Sequence, residues 1–302
     1  MGNPMKLRDR LNGDGITVAP GVYDALTALL AVEAGFSTLY VSGAAQAYTR
    51  LGRPDIGLVA MSEVADQVAL IRDRVAADLV VDADTGYGNA LNVQRTVRVF
   101  ERAGASALQL EDQTFPKRCG HLSDKGVIPA GEMVGKVKAA VDARASEDTL
   151  IIARTDAVAV EGFEQAIERA HLYAEAGADV LFVEAPRTED QLRGVVSALG
   201  RTKPLMANMV EGGHTPLTEA AALERIGFKL VIFPGAIVRV LARTAREFYR
   251  TLAANGASAP FADRMFTFDE LNAVIGTPEM LALGESYEPQ KPASPAKPGE
   301  RA

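Results

Sequence analysis

Four times along this chain a glycine closes an amphipathic helical stretch, a short apolar strand follows, and a polar or turn residue stands seven positions after the glycine. Glu33-Ala34-Gly35-Phe36 leads to Ser42, Arg102-Ala103-Gly104-Ala105 to Glu111, Glu175-Ala176-Gly177-Ala178 to Glu184, and Arg225-Ile226-Gly227-Phe228 to Pro234. Glycine at such a point supplies the left-handed residue that ends a helix. The near-continuous apolar strands suit a parallel sheet buried on both faces. Four further strands fit between these, at 16–19, 79–83, 149–153 and 204–207, with helices such as 93–102, 132–143 and 163–176 separating strands. Eight units in about 250 residues predict an α/β fold, a (β/α)8 TIM-type barrel. A doubly wound sheet is the runner-up, weakened because no strand-linked Gly-x-Gly-x-x-Gly turn is present.

After the eighth strand, 236–254 reads as one helix and 261–283 as an additional helical segment. Residues 5–285 are therefore expected to form a single barrel domain that includes this C-terminal segment. Residues 286–302, with Pro289, Pro292, Pro295 and Pro298 among Lys, Ala, Ser and Gly, are expected to form a disordered tail. No apolar run approaches the roughly 18 residues that span a bilayer, so no membrane partner is expected. Met1–Lys6 lacks an apolar core for a secretory signal, and a single cysteine suits a reducing compartment, which together point to the cytoplasm. A net charge of −7 argues against nucleic acid as a partner, but not against an anionic small molecule, because a bound cation inverts the local field.

In a barrel of this kind the C-terminal strand ends carry the chemistry. Asp82 and Asp84 close the third strand, Glu111 and Asp112 the fourth, Arg154 and Asp156 the fifth, Glu184 the sixth and Asn208 the seventh; Tyr40 and Ser42 share a face at the end of the second. The i, i+2 spacing of Asp82 and Asp84 predicts that both point the same way. A ring of acids is costly without compensation, and hard oxygen ligands with no Cys/His cluster favour Mg2+, with Mn2+ as an alternative. The competing reading of Asp82 and Asp84 is an N-cap for the next helix, and of Arg154 with Glu184 a buried structural ion pair.

The one cysteine lies in Lys117-Arg118-Cys119-Gly120-His121. It cannot form an internal disulfide, so it is either a small buried hydrophobe or a working thiol tuned by its basic neighbours.

Asp82-Ala83-Asp84-Thr85-Gly86-Tyr87-Gly88, Leu110-Glu111-Asp112-Gln113, Lys117-Arg118-Cys119-Gly120-His121 and Ala153-Arg154-Thr155-Asp156 together resemble the isocitrate lyase and phosphoenolpyruvate mutase superfamily, over roughly residues 5 to 285. The Lys-Arg-Cys-Gly-His run resembles its carbon–carbon lyase branch. The resemblance implies a Mg2+ ion near Asp82, Asp84 and Glu111, held partly through water. It implies a 2-hydroxy acid whose carboxylate meets Ser42, Gly43 and Ala44 with Asp55 close by, and Arg154 on the oxygen that becomes the keto group. Cys119, with Lys117 beside it, would sit in a lid and protonate the leaving fragment, while Gly120, His121, Glu184, Asn208 and Arg239 face the departing carboxylate. Tyr40 is the candidate for removing the hydroxyl proton. Relatives exchange a C-terminal helix between subunits, so the resemblance also implies a homo-oligomer, a dimer or tetramer, with 261–283 supplying the exchanged segment.

The implied reaction is retro-aldol cleavage of a 2-hydroxy di- or tricarboxylate to pyruvate and a carboxylic acid. In the tricarboxylate-cleaving members, a hydroxyl near the seventh-strand Asn helps grip the extra carboxylate. Here the run is Asn208-Met209-Val210-Glu211-Gly212-Gly213, without one. Each missing hydrogen bond costs on the order of 1–3 kcal/mol, which leans the expectation toward a 2-alkylmalate such as 2,3-dimethylmalate. The alternatives are cleavage of 2-methylisocitrate to pyruvate and succinate, oxaloacetate cleavage, and a phosphonomutase activity that needs no proton donor at position 119.

Overall fold

The computed structural model describes residues 5–120 and 125–288, so His121 and the tail from 289 lie outside the described residues. Eight parallel strands close a barrel in chain order: β1 (Thr17–Val22), β2 (Thr38–Val41), β3 (Asp78–Asp82), β4 (Ala107–Glu111), β5 (Leu150–Thr155), β6 (Val180–Val183), β7 (Leu205–Asn208) and β8 (Leu230–Phe233). Helix α1 (Leu7–Asn12) precedes the barrel. The helices that follow are α2 (Ala25–Glu33), α3 (Gly43–Gln46), α4 (Met61–Arg74), α5 (Ala90–Ala103), α6 (Ala130–Ala143), α7 (Phe163–Glu175), α8 (Glu189–Leu199), α9 (Ala220–Ile226) and α10 (Ala236–Asn255). Each of the four repeat glycines takes the predicted left-handed backbone, with φ of 95° at Gly35, 103° at Gly104, 106° at Gly177 and 122° at Gly227. A β-carbon would be strained there, which is why the helix ends at these points.

The core has two layers. The outward strand residues, among them Leu39, Val81, Leu108, Ile151 and Leu181, pack against helix residues such as Val68, Phe100, Val137 and Tyr173. The inward residues Tyr40, Val80, Ala107, Ile152, Phe182, Met206 and Ile232 fill the barrel, and Leu7 and Leu11 of α1 join them. Strand alternation then decides what stands above this apolar plug. Two residues beyond Val80 comes Asp82, beyond Ile152 Arg154, beyond Phe182 Glu184, beyond Met206 Asn208, and beyond Ala107 first Gln109 and then Glu111. Pairing brings Glu111 level with Arg154 and Asp82 level with Gln109.

Several sequence expectations need correcting. Strands β1, β5 and β7 run beyond 16–19, 149–153 and 204–207, ending at Val22, Thr155 and Asn208, because residues at the barrel rim keep pairing after the apolar run stops. Strand β3 ends at Asp82, and Asp84 adopts φ of 48°, so alternation does not govern the direction of its side chain. The additional helical segment read over 261–283 is made of three short pieces: a 3-10 turn at Ala259–Arg264, α11 (Phe268–Ile275) and α12 (Thr277–Ser286). Thr267 caps α11 through Glu270, and left-handed Gly276 ends it. The chain divides into two compact units, one through Glu247 and one from Phe248.

Candidate active site

The loop Ala83–Asn89 after β3 holds the first acids. Asn89 caps α5 by accepting from Leu91 and Asn92 backbone N–H groups, so Asp82 and Asp84 are not needed as caps. Asp82 Oδ1 instead accepts from the Asp84 N–H at 3.1 Å, and Gln109 Nε2 lies 3.5 Å from it. Gln109 in turn accepts from the Tyr40 hydroxyl at 2.9 Å. Tyr40 is fully buried, and burial together with nearby Asp82 pushes its phenol well above the usual range. The geometry makes it a proton holder that orients Gln109, and disfavours it as the base for a substrate hydroxyl.

Lys117 reaches into the same region. Its Nζ stands 2.6 Å from Asp55 Oδ1 and 2.7 Å from Asp84 Oδ1, with all three side chains nearly excluded from solvent. Burial opposes the ammonium charge, but Asp84, Asp55, Asp82 and Glu111 outweigh it and hold its pKa well above the usual value. Burial pushes the Asp84 carboxyl up to about 7 in spite of Lys117. Burial likewise raises Glu111 well above its ordinary value, with Arg154 only partly offsetting it.

Arg154 sits at the centre of the opposite wall. Its Nε and Nη2 grip Asp156 at 2.8 and 3.0 Å, its Nη1 lies 3.3 Å from Glu111, and Nη2 lies 3.9 Å from Glu184. Its main partner is therefore Asp156, and the ion pair with Glu184, the competing reading of these two residues, is the minor contact. Asn208 Nδ2 donates to Glu184 at 3.2 Å. Arg239 is held by the main-chain oxygen and the carboxylate of Glu211.

The cysteine segment packs onto this ring. Cys119 is half-buried, and its N–H donates to the Asp55 carbonyl at 3.1 Å. A β-carbon on Gly120 would lie 2.4 Å from Glu184 Oε1 and 2.5 Å from Arg154 Nη2, so a side chain there would displace the ends of those two side chains or lift the segment. Tyr40, Ser42, Ala44, Asp55, Asp82, Glu111, Lys117, Cys119, Gly120, Arg154, Glu184, Asn208 and Arg239 all line one pocket. Gly43 adjoins it, since a β-carbon there would come within 2.9 Å of Asp82 Oδ2. Asp84 enters through its pair with Lys117.

Several residues of the site were not singled out from the sequence. Gln109 lies two positions before Glu111 on the same strand face, a signal that alternation carries. Lys125 Nζ pairs with Asp156 at 3.0 Å and also contacts the Gly120 carbonyl. Gln113 brackets Arg118 through both its N–H and its carbonyl. Tyr48 and Ile232 join Val210 and Pro234, already noted in the sequence, in the apolar part of the pocket. Tyr48 stands on a π-helical turn, Ala47–Leu51, for which no sequence period gives a sign.

The donor set suits a divalent cation. Among the described residues, buried Glu111 Oε1 has no hydrogen-bond partner, and Asp82 adds to the burial that raises the carboxyls of Glu111 and Asp84. All donors are hard oxygens, as Mg2+ prefers, with water completing its shell. Among the described residues, no three acidic, His or Cys side chains converge on one point, so Asp82, Asp84 and Glu111 do not form a preassembled ligand set.

A family model described as phosphoenolpyruvate phosphomutase matches residues 7–253. The chain is 40% identical over 288 residues to 2,3-dimethylmalate lyase of Eubacterium barkeri, covering 95% of this chain and 99% of that one. It is 45% identical over 270 residues to 2-methylisocitrate lyase of Aeropyrum pernix, covering 89% and 86%. Among solved structures, oxaloacetate acetylhydrolase with 3,3-difluorooxalacetate superposes with a TM-score of 0.88 at 37% identity, covering 93% of this chain and 95% of that one. Phosphonopyruvate hydrolase with oxalate and Mg2+ superposes at 0.84 and 30% identity, covering 93% and 97%.

Proposed function

The chain belongs to the phosphoenolpyruvate mutase/isocitrate lyase superfamily of carbon–carbon lyases and mutases, and from that premise we propose that it cleaves a 2-hydroxy dicarboxylate to pyruvate and a carboxylic acid. The observation that carries this reading is the seating of Cys119 and Gly120 in the same pocket as Asp82, Glu111 and Arg154. A mutase needs no proton source there; a retro-aldol cleavage does.

Asp82 and Glu111, with Asp84 behind them, would hold Mg2+ or Mn2+. When bound, the ion supplies Lewis acidity at the oxygen that becomes the keto group. Arg154 presents its guanidinium to that same oxygen, whose proton passes to water, while Ser42, Gly43 and Ala44 receive the substrate carboxylate. The bond between the carbinol carbon and its neighbour breaks, and its electron pair moves onto the carbon beside the departing carboxylate. The Cys119 thiol delivers a proton to that carbon; a neutral thiol near pKa 8.5 is a competent donor to so basic a site. Asn208 and Glu184 face the departing carboxylate, with Arg239 at the margin.

The wall formed by Tyr48, Val210, Ile232 and Pro234 suits an alkyl substituent, which favours a 2-alkylmalate such as 2,3-dimethylmalate. Arg239 is already engaged by Glu211, so a further substrate carboxylate would have to compete for it. Pyruvate release from 2,3-dimethylmalate, 2-methylisocitrate and oxaloacetate with Mg2+ present tests the assignment. The expected order of kcat/KM places the alkylmalate first; preference for 2-methylisocitrate reassigns the substrate, and equal turnover by Cys119→Ser removes the thiol from the reaction.

The functional unit is proposed to be a dimer or tetramer. Phe268, Met280, Leu281 and Tyr287 are 83%, 59%, 64% and 78% exposed, an apolar surface that a second copy would cover. A single-chain mass by light scattering at micromolar concentration would contradict this.

A further inference from the structure

The loop that carries Asp84 is bent into conformations that side chains resist. Asp84 has φ of 48° and Tyr87 of 60°, with Gly86 at 82° and Gly88 at 144° between and after them. For residues other than glycine, such geometry persists only where the surroundings over-determine it, at a cost of order 1–3 kcal/mol each. Three consecutive carbonyls of this loop are each taken by a donor from a different element. The Asp84 carbonyl accepts from the Glu111 N–H of β4 at 2.9 Å. The Thr85 carbonyl accepts from Lys136 Nζ of α6 at 3.1 Å, and the Gly86 carbonyl from Thr96 Oγ1 of α5 at 3.1 Å.

Lys136 is the unusual member. It is 5% exposed, and among the described residues no carboxylate lies within ion-pairing distance of it. Lysines are seldom buried without a partner, because desolvation of the ammonium goes uncompensated. Burial does lower its pKa here, against the weaker pull of Glu132 and Asp112. Thr96 is also buried, and its hydroxyl is spent on the same turn. A helix gains nothing from either group at these positions that an apolar residue would not supply. The loop gains its shape.

We propose that Lys136 and Thr96 are positioning residues, which act from the outer helices to clamp the Thr85 and Gly86 carbonyls and so hold Asp84 where it completes a divalent-cation site with Asp82 and Glu111. This rests on the metal reading given above. Neither residue lines the pocket, so neither touches substrate. The clamp sets the pose of the Asp84 carboxylate without contributing a ligand, in the way outer partners commonly orient metal ligands.

Isothermal titration of Mg2+ into the 302-residue protein without substrate tests the proposal, alongside thermal unfolding of each variant. Lys136→Met and Thr96→Val are each expected to weaken Mg2+ binding by roughly 10- to 100-fold while retaining cooperative unfolding. Lys136→Arg and Thr96→Ser, which keep a donor, are expected to recover most of the affinity. A role confined to packing would lower the melting temperature and leave the Mg2+ affinity of the folded variants within about two-fold of the parent, and that result overturns the proposal. Should Lys136→Met fail to fold, Thr96→Val decides the matter alone. Absence of Mg2+ binding by the unsubstituted protein would overturn the metal reading and the clamp together, an outcome distinct from loss of the clamp alone.

Discussion

The Lys117 ammonium lies 2.7 Å from the Asp84 carboxylate and so ties the cysteine-bearing segment to the loop after β3. Asp55, 2.6 Å away on the other side, shares the same charge. Removing the ammonium leaves buried carboxylates facing one another, a loss of about 3–5 kcal/mol in comparable buried pairs. Lys117→Met is therefore expected to lower kcat/KM by at least 10²-fold and to lower the melting temperature. Lys117→Arg should restore part of the stability but little activity, because the slot between the two acids fits a compact ammonium. Melting curves and pyruvate-release kinetics on the two variants check both statements.

Cys119→Ser changes one atom in a half-buried side chain. Its effect on stability should stay within about 1 kcal/mol, the centre of the range for single substitutions. Loss of a positioned proton donor should cost roughly 10²–10⁴-fold in kcat. Steady-state kinetics beside a urea unfolding curve separate the two; a variant that keeps most of its turnover contradicts the assigned role.

Gly120→Ala places a methyl group within 2.5 Å of Arg154 and Glu184. Either the cysteine segment lifts away or Arg154 leaves Asp156, at a cost of about 1–3 kcal/mol for overpacking. The expected consequence is a fall in kcat/KM of about 10- to 10²-fold, the same energy read as a rate, with a loss of stability of no more than about 1–3 kcal/mol. A crystal structure of the variant should show the segment displaced; an undisturbed segment with normal kinetics would refute the close packing.

Asp156 gives the acid-side pH dependence. Burial opposes its charge, but Arg154 and Lys125 outweigh burial and hold its carboxyl at about 2, below the 3.8 of an unperturbed Asp. A depressed folded-state pKa adds stability that is fully present above the unfolded value and is lost as pH falls through the folded one. The contribution is on the order of 2 kcal/mol and should disappear between about pH 4 and pH 2. The gap in urea midpoint between the parent and Asp156→Asn is expected to be widest above pH 5 and to narrow across that window. A gap that does not change with pH would show that the charge of Asp156 does not stabilise the fold.

The four glycines and the residue seven places after each show how much a linear pattern carries. Gly35, Gly104, Gly177 and Gly227 all take left-handed backbone, and Ser42, Glu111, Glu184 and Pro234 all line the pocket. Helix termination and strand alternation are local, so the chain order of helices, strands and rim residues follows from sequence periods alone. The C-terminal segment was less legible, because its breaks at Gly276 and before Thr267 interrupt an otherwise helix-compatible run.

The amino-acid sequence by itself determined the barrel, the ring of acids at its rim and the single thiol near them, since each rests on residues close together along the chain. Only the tertiary structure decided the partnerships: Lys117 with Asp55 across 62 positions, Lys136 with the Thr85 carbonyl across 51, and Arg154 with Asp156 in preference to Glu184. Those choices depend on which strand ends closure brings side by side and on how burial and charge compete once water is gone. Neither quantity is written in any local stretch of sequence.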